Sequence, residues 1–291
     1  MSERALKRLG LVLAVLLVLV LGRSGWQRWQ RERPGGYEKK IEGWSKEAVE
    51  KIELKKGEKQ LVLVKKDEGW QLNEKKADSE RVQEFLTAFL PEEKVAMIAQ
   101  TSSRHEQLGV KEGEAVKVCL KKGEGELCWL AGKSEPGGLY VRFVDSDPVY
   151  LLANWQTEIS LDSQEWYDKT IFEAEKSVIK RLVFEKAEES FVLVKKDGEW
   201  QVEGEEKRVE KSKVDGLLTT LSVLKAKEVV EEEKEGYSEQ PVLMLTVEYE
   251  GGSETLKFFK GEDDYLVERV SDGQRFLLYS TTAEELVEFE S

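Results

Sequence analysis

Cysteine and histidine are scarce in this sequence of 291 residues, which contains two of the first and one of the second. Structural zinc sites take four ligands that are mostly Cys and His, and acid-base or thiol catalysis needs such a group beside an oriented partner. The scarcity therefore excludes most metal and nucleophile chemistry. We expect no catalytic residue, no cofactor and no metal site, and hence no enzyme.

Positive charge is also in deficit, because 45 Lys and Arg face 58 Asp and Glu and the net charge is -13. The imbalance is steeper after residue 36, where 38 basic residues face 56 acidic ones. An acidic surface repels phosphate backbones, so the folded part is not expected to bind nucleic acid. Hydrophobic residues make up 40% of the chain, which indicates that it folds, and its length suits about two domains.

An uninterrupted apolar run of fourteen residues, Leu9 to Gly22, lies near the N-terminus between basic residues. Its length suits either a cleaved signal peptide or a short membrane-spanning helix. The small residues of a cleavage site are missing, and Trp26 and Trp29 suit the headgroup level. We therefore expect a single-pass anchor in the cell membrane, a hinge at Pro34-Gly35-Gly36, and a folded body outside the cytoplasm.

Residues 48–72 align without a gap to residues 178–202, with ten of the twenty-five positions identical. An offset of 130 residues is too long for a solenoid of small units and indicates two copies of one domain. We predict an anchor and hinge at 1–36, a first copy at 37–165 and a second copy at 166–291. The predicted fold class is α+β: an N-terminal transmembrane helix followed by two tandem repeats, each an antiparallel sheet with an amphipathic helix packed on it.

Alternating apolar residues predict the strands of each copy, and stripes of period 3.6 predict one helix in each. The helix stripes are Val82, Phe85, Leu86 and Phe89 in copy one, and Val214, Leu217, Leu218, Leu221 and Leu224 in copy two. The later strands are predicted at 115–120, 126–132, 139–144 and 149–152, and at 242–249, 255–260, 265–270 and 275–279. Each set ends in a predicted helix start, at Asn154 in copy one and at Thr281 or Thr282 in copy two.

The two cysteines fall on one predicted hairpin. If Gly123-Glu124 is its two-residue turn, Cys119 and Cys128 face each other as cross-strand neighbours. A disulfide then forms in an oxidising compartment, and the alternative of two free thiols on the less buried face stays open.

Two tryptophans near the boundary between the copies, Trp155 and Trp166, have no matching tryptophan in copy two. Aromatic residues are enriched in interfaces, so we interpret both as candidate contacts between domains or with a protein partner. The single histidine, His105, is interpreted as a surface or capping residue. The acidic clusters Asp145-Ser146-Asp147 and Glu262-Asp263-Asp264 lack calcium-ligand spacing and are interpreted as solvated turns.

Several motifs, taken together with the N-terminal apolar segment, resemble a known family. They are GWQL at 69–72, ADSE at 77–80, HEQLG at 105–109, GGLYVR at 137–142 and WYDKTIF at 166–172. This combination is similar to the family called domain of unknown function 4340. The resemblance implies an anchored bacterial protein, often encoded beside components of gliding-type ABC transporters, and it implies no established activity.

These observations predict a non-catalytic, membrane-anchored binding or scaffolding protein that works within a membrane assembly. The expected partners are the membrane and other proteins of that assembly, and the resemblance implies an ABC-type transporter. Two alternatives stay open. One is an anchored envelope hydrolase that uses carboxylates, and the other is a protein that binds a small ligand between its two repeats.

Overall fold

The computed structural model describes residues 36–67, 69–187, 189–205 and 209–290. These residues divide into two compact units. Unit 1 contains the described residues up to Asn73 together with Ser79–Asp162. Unit 2 contains Glu74–Asp78 and the described residues from Ser163 onward, so five residues from within the first sequence copy belong to the second unit.

The eight strands of unit 1 are hydrogen-bonded in the antiparallel order β3-β2-β1-β6-β7-β8-β9-β5. Its strands are β1 (Lys51–Lys56), β2 (Lys59–Lys66), β3 (Gly69–Leu72), β5 (Ala96–Ala99), β6 (Val116–Lys122), β7 (Gly125–Glu135), β8 (Gly138–Phe143) and β9 (Val149–Leu152). Its helices are α1 (Tyr37–Ile41) and α2 (Ser79–Phe89). The short strand β4 (Lys75–Lys76) belongs to unit 2.

Unit 2 contains a second antiparallel sheet with the order β13-β12-β11-β16-β17-β18-β19-β15, and a separate pair formed by β10 and β14. The strands are β10 (Thr170–Glu173), β11 (Ile179–Glu185), β12 (Ser190–Lys196), β13 (Glu199–Val202), β14 (Val223–Lys225), β15 (Glu228–Val229), β16 (Leu243–Tyr249), β17 (Gly252–Lys260), β18 (Asp264–Arg269) and β19 (Arg275–Tyr279). The helices are α3 (Lys211–Ser222) and α4 (Ser280–Val287).

The two sheets have the same strand order. Strands β11, β12 and β13 of unit 2 correspond to β1, β2 and β3 of unit 1. Strands β16 to β19 correspond to β6 to β9, and β15 corresponds to β5. The helix lies at the same point in the sequence of both units, between the third strand of the sheet and its edge strand. The repeat seen over twenty-five residues is therefore a repeat of the whole sheet with its helix.

Each core forms where the apolar stripe of a helix meets the inward side chains of the strands. Ile52 and Leu54 of β1 are fully buried, as strand alternation requires, and Leu182 and Phe184 of β11 are their counterparts. The helices bury Val82, Phe85, Leu86, Ala88 and Phe89 in α2, and Val214, Leu217, Leu218 and Leu221 in α3. Burial of one such side chain contributes about 1.5–3 kcal/mol, so these stripes hold the helices on the sheets.

The predicted fold class is wrong. Among the described residues antiparallel strands dominate, with 43% strand and 18% helix, and no helix of that part of the chain is long and apolar enough to cross a membrane. The predicted transmembrane segment, Leu9 to Gly22, lies outside the described residues. The α+β class gave the single helix of each copy the same standing as its sheet, whereas in the described residues the strands far outnumber the helices.

Three local predictions also need correction. No helix starts at Asn154, where the described chain makes a turn instead. Helix α4 begins at Ser280, after Tyr279, and no side-chain hydrogen bond caps it, so the predicted cap at Thr281 or Thr282 is wrong. Leu224 lies on β14 and not on the helix, because α3 ends at Ser222.

Tyr37 gives unit 1 a measurable response to alkaline pH. Its side chain is fully buried, and its hydroxyl donates to the Phe89 carbonyl oxygen at 2.9 Å, at the end of α2 where carbonyls lack intrahelical partners. Burial raises the pKa of Tyr37 well above its ordinary value, an effect that the Trp129 side chain offsets only in part.

We expect the free energy of unfolding to fall as pH rises above about 10, because the unfolded chain then releases the Tyr37 proton while the folded chain retains it. The stabilisation is fully present below that pH. The slope should reach about 1.4 kcal/mol per pH unit for one such group. Urea denaturation between pH 8 and pH 11 measures it, and Tyr37→Phe should have a flatter profile. Equal slopes in both proteins would contradict the assignment.

Candidate functional site

Residues 105–115 cover part of the second face of the unit 1 sheet. Trp129 packs against Phe89 of α2, with ring centroids 5.2 Å apart, so its strand neighbour Leu130 points to the opposite face. Arg142, paired with Leu130 across the sheet, donates to the Val110 carbonyl oxygen at 2.8 Å. These contacts hold the covering segment against the strands.

The single histidine is part of this covering segment. His105 is 8% exposed, and its Nε2 donates to the Asp147 carbonyl oxygen at 2.8 Å. It is therefore buried, so the surface alternative predicted from the sequence is wrong, but His105 is the C-cap residue of the short 3₁₀ helix Ser102–Arg104, as the capping alternative predicts. The corresponding segment of unit 2 contains Tyr237, whose hydroxyl donates to Asp264 Oδ1 at 2.7 Å.

Cys119 and Cys128 occupy facing positions on β6 and β7 and are joined by a disulfide bond. They lie on the charged part of the second face, where Glu53 is the β1 neighbour of Cys119 and accepts ion pairs from Lys51 and Lys121. Glu126 lies close enough to both sulfurs for the three side chains to approach one metal ion. A disulfide offers no thiolate ligand, so the oxidised hairpin is a crosslink and not a metal site.

We expect the native protein to resist alkylation of both cysteines until a reductant is added, and its mass to be two hydrogens lower than that of the reduced chain. Replacing both Cys119 and Cys128 with serine should lower the free energy of unfolding by about 2 kcal/mol, because a crosslink of this loop length restricts the unfolded chain. Mass spectrometry and urea denaturation measure the two effects. Two thiols that alkylate freely in the native protein would contradict this expectation.

Trp155 and Trp166 are both inside the protein. Trp155 is 6% exposed and packs on Phe85, with ring centroids 5.4 Å apart and the Arg81 guanidinium 5.7 Å from its ring. Trp166 is 0% exposed, and its carbonyl oxygen accepts a hydrogen bond from the Asp78 N–H. Neither indole is presented to an outside partner, which the sequence had suggested as one of their roles.

The acidic clusters take part in ion pairs and loop contacts. Asp145 is bonded to Lys40 at 2.7 Å, and the Lys40 ammonium lowers the pKa of that carboxyl. Asp264 accepts from Tyr237 and lies 3.6 Å from the Lys227 ammonium. Asp145 is exposed, as a solvated turn predicts, whereas Asp264 is half-buried and begins β18, so the prediction of a solvated turn is wrong for that residue.

A cleft of about 520 Å³ opens in unit 2 between α3 and the hairpin formed by β12 and β13. We call it the Trp200 cleft. Among the described residues, its apolar lining comes from Trp200, Val209, Val214 and Leu218, its charged lining from Lys176, Lys195, Lys211, Glu199 and Asp215, and the rest from Ser177 and Gly198. Trp200 is half-buried there, whereas Leu218 is 5% exposed.

The equivalent place in unit 1 is more tightly packed. Trp70, the counterpart of Trp200, is 7% exposed. A Cβ added to Gly69 would lie 3.7 Å from the Ser79 hydroxyl, so the start of α2 approaches the hairpin there. The order Glu-Gly before Trp70 is reversed to Gly-Glu before Trp200, which puts Glu199 at the position of Gly69.

One contact connects each helix to the segment that precedes β1 in unit 1 and β11 in unit 2. In unit 1 the Lys46 ammonium donates to Thr87 Oγ1 at 3.4 Å, and in unit 2 Lys176 donates to Thr219 Oγ1 at 2.6 Å. The difference between the units is therefore concentrated at the N-terminal end of the helix. The connection from the tryptophan to the helix is two residues longer in unit 2, from Trp200 to Lys211, than in unit 1, from Trp70 to Ser79. This longer connection and the reversed Gly-Glu pair are both visible in the sequence.

The family model described as Domain of unknown function (DUF4340) matches residues 74–240, which is more than half of the chain. The chain belongs to this family. The resemblance inferred from the motifs is thereby confirmed. Comparison with curated proteins and comparison with solved structures each found no match.

The residues matched to the DUF4340 family include all the described residues that line the Trp200 cleft. They also include the connector at 166–172. This connector pairs with Glu74–Asp78, the five residues of copy one that belong to unit 2. Tyr167 bridges Ala77, and Lys76 forms a 2.8 Å ion pair with Asp168. Burial raises the pKa of Asp168, but the bonds from Lys76 and Thr170 outweigh burial, so the net pKa is lowered.

The sequence interpretation missed the Trp200 cleft. The repeat alignment puts Trp70 and Trp200 at the same strand position in both copies, which by itself predicts the same role in the fold for both. The reversed Gly-Glu pair and the longer connection to α3 were signals that the copies differ at this position. Only the packing of the helix against the hairpin shows that the difference leaves a cavity.

Proposed function

We propose that this member of the DUF4340 family is a non-catalytic binding protein whose ligand occupies the Trp200 cleft of unit 2. The first copy of the domain, in this view, has kept a closed helix-hairpin contact, and the second copy has been modified to receive a ligand. The volume of about 520 Å³ lies in the range of small-molecule sites, and an apolar floor with a few polar groups at its rim is typical of such sites.

The observation that carries the proposal is the difference between Trp70 and Trp200. The two sheets have the same strand order, but Trp70 is buried and its counterpart Trp200 is half-buried. This difference supports a local change of the second copy at the position of Trp200. A fold requirement would have kept both rings buried, because burial of an aromatic ring is among the largest apolar contributions to stability.

The chemistry of the rest of the chain supports a role without catalysis. The only histidine lies in unit 1, where its Nε2 is engaged by the Asp147 carbonyl, and the two cysteines form a crosslink. The groups most often used as bases and nucleophiles are thus occupied elsewhere.

The disulfide also supports a location outside the cytoplasm, because disulfides persist mainly in oxidising compartments. We propose that the folded body works there. Association with an ABC-type transporter assembly is what the family resemblance implies, and it stays a prediction. The prediction of a single-pass location in the cell membrane falls on residues outside those that the structure describes.

Native mass spectrometry of the protein isolated gently from its source cells tests the binding role. We expect an additional mass of a few hundred daltons on the wild-type chain and its loss in Trp200→Ala, because the indole forms part of the cleft. Lys65→Gln, at the position of Lys195 in the other copy, is the matched control and should keep the adduct. An adduct that survives Trp200→Ala, or a bare mass for the wild type, would overturn the proposed site.

A further inference from the structure

We infer that the ligand of the Trp200 cleft is a small anion with a flat apolar body, held by its charged group at the lysines and by its body against Trp200. This inference rests on the binding role proposed above and adds the chemical class of the ligand. The anionic group can be a carboxylate, a sulfonate or a phosphate, since the same ammonium donors serve all three.

The apolar part of the inference comes from the floor of the cleft. Val214 and Leu218 are one helical turn apart on α3, so their side chains form one continuous patch. Trp200 supplies an aromatic ring on the hairpin side. A flat apolar group placed between Trp200 and the helix patch loses contact with water on both of its faces. An aromatic group there also stacks on the indole ring.

The charged part comes from the rim. Among the described residues that line the cleft, Lys176, Lys195 and Lys211 carry three positive charges, against the two negative charges of Glu199 and Asp215. This local excess of positive charge stands out in a chain whose net charge is -13. The field in the cleft therefore favours an anion over a cation, and a cavity with apolar walls strengthens that preference.

Lys176 is held in place for such a contact. Its Nζ donates to Thr219 Oγ1 at 2.6 Å, and Thr219 in turn donates to the Asp215 carbonyl oxygen at 2.6 Å. An ammonium group has three N–H donors, and the bond to Thr219 uses one of them. Because the ammonium is already oriented, less conformational entropy is lost when it binds an anion.

The test uses two probes that share one body. Anilinonaphthalene sulfonate carries a sulfonate on its aromatic rings, and N-phenyl-1-naphthylamine is the same body without it. We expect the full chain to bind the sulfonate more tightly, and higher salt to weaken only that complex because salt screens exposed charges. Lys195→Gln and Lys211→Gln should each weaken sulfonate binding roughly two- to fivefold, as expected for partly exposed charge contacts.

The controls separate this inference from the binding role. Lys65→Gln removes the equivalent lysine of unit 1 and should leave both affinities unchanged, and neither lysine variant should change the affinity for the neutral probe. If both probes bind equally and only Trp200→Ala weakens them, the cleft is a binding site without preference for anions, and the inference is overturned alone. If neither Trp200→Ala nor the lysine variants affect either probe, the cleft is not the site and both proposals fail.

Discussion

Gly132→Ala is expected to lower the free energy of unfolding by about 3 kcal/mol, at the upper end of the cost of overpacking. Gly132 lies on β7 where the pairing with β8 shifts register, directly under the segment that covers the second face. An added Cβ would overlap the Leu108 carbonyl oxygen and would lie 2.7 Å from the Gly109 carbonyl carbon. Both obstacles are backbone atoms, so no side-chain rotation relieves the clash.

Gly216→Ala is the matched control for this glycine. Gly216 lies inside α3, has open space around its Cβ position and does not line the cleft. Alanine there should raise stability by about 0.5–1 kcal/mol, because glycine is a poor helix former. Urea denaturation of the two variants should therefore move in opposite directions. A Gly132→Ala protein as stable as the wild type would show that residues 105–115 are not packed on the sheet as described.

Arg142→Met is expected to cost about 3 kcal/mol, because it removes four hydrogen bonds and takes the guanidinium donor from the buried Val110 carbonyl oxygen. Arg142 is 8% exposed. Its guanidinium donates to the carbonyl oxygens of Val110, Phe143, Val144 and Ser146. The methionine side chain preserves much of the volume, so the loss reports mainly on the hydrogen bonds. Residues 105–115 should also exchange their amide hydrogens faster in the variant.

The equivalent arginine of unit 2 provides the comparison. Arg269 donates to the carbonyl oxygens of Thr170 and Ile171, and its remaining bonds reach Asp272, whose side chain is 49% exposed. Water can solvate Asp272 when the arginine is removed, so Arg269→Met should cost less than Arg142→Met. An equal or larger loss for Arg269→Met would contradict the role assigned to the four carbonyl contacts of Arg142.

The strands were the part of the fold most accessible from sequence. The strand predicted at 149–152 is found at those residues, and the one predicted at 275–279 is also unchanged. The facing positions of Cys119 and Cys128 followed from one turn, Gly123-Glu124, because a two-residue turn determines the register of a whole hairpin. Local patterns are sufficient for such features.

Features that depend on distant contacts were less accessible. The lack of a counterpart in copy two predicts an interface role for Trp155 and Trp166, but burial depends on what packs over a residue and not on the repeat. The inclusion of Glu74–Asp78 in unit 2 could not be read from composition either, since it depends on backbone bonds to the connector at 166–172. The Trp200 cleft belongs to the same class, because it forms where a helix and a hairpin do not fully meet.

Hydrogen exchange with and without anilinonaphthalene sulfonate tests the central claim most directly, namely that only the second copy of the domain binds a ligand. The account predicts slower exchange in residues 200–202 and 211–218 of unit 2 when the probe is present, with no change in the equivalent residues 70–72 and 79–86 of unit 1. Equal protection in both copies, or protection confined to unit 1, would contradict it.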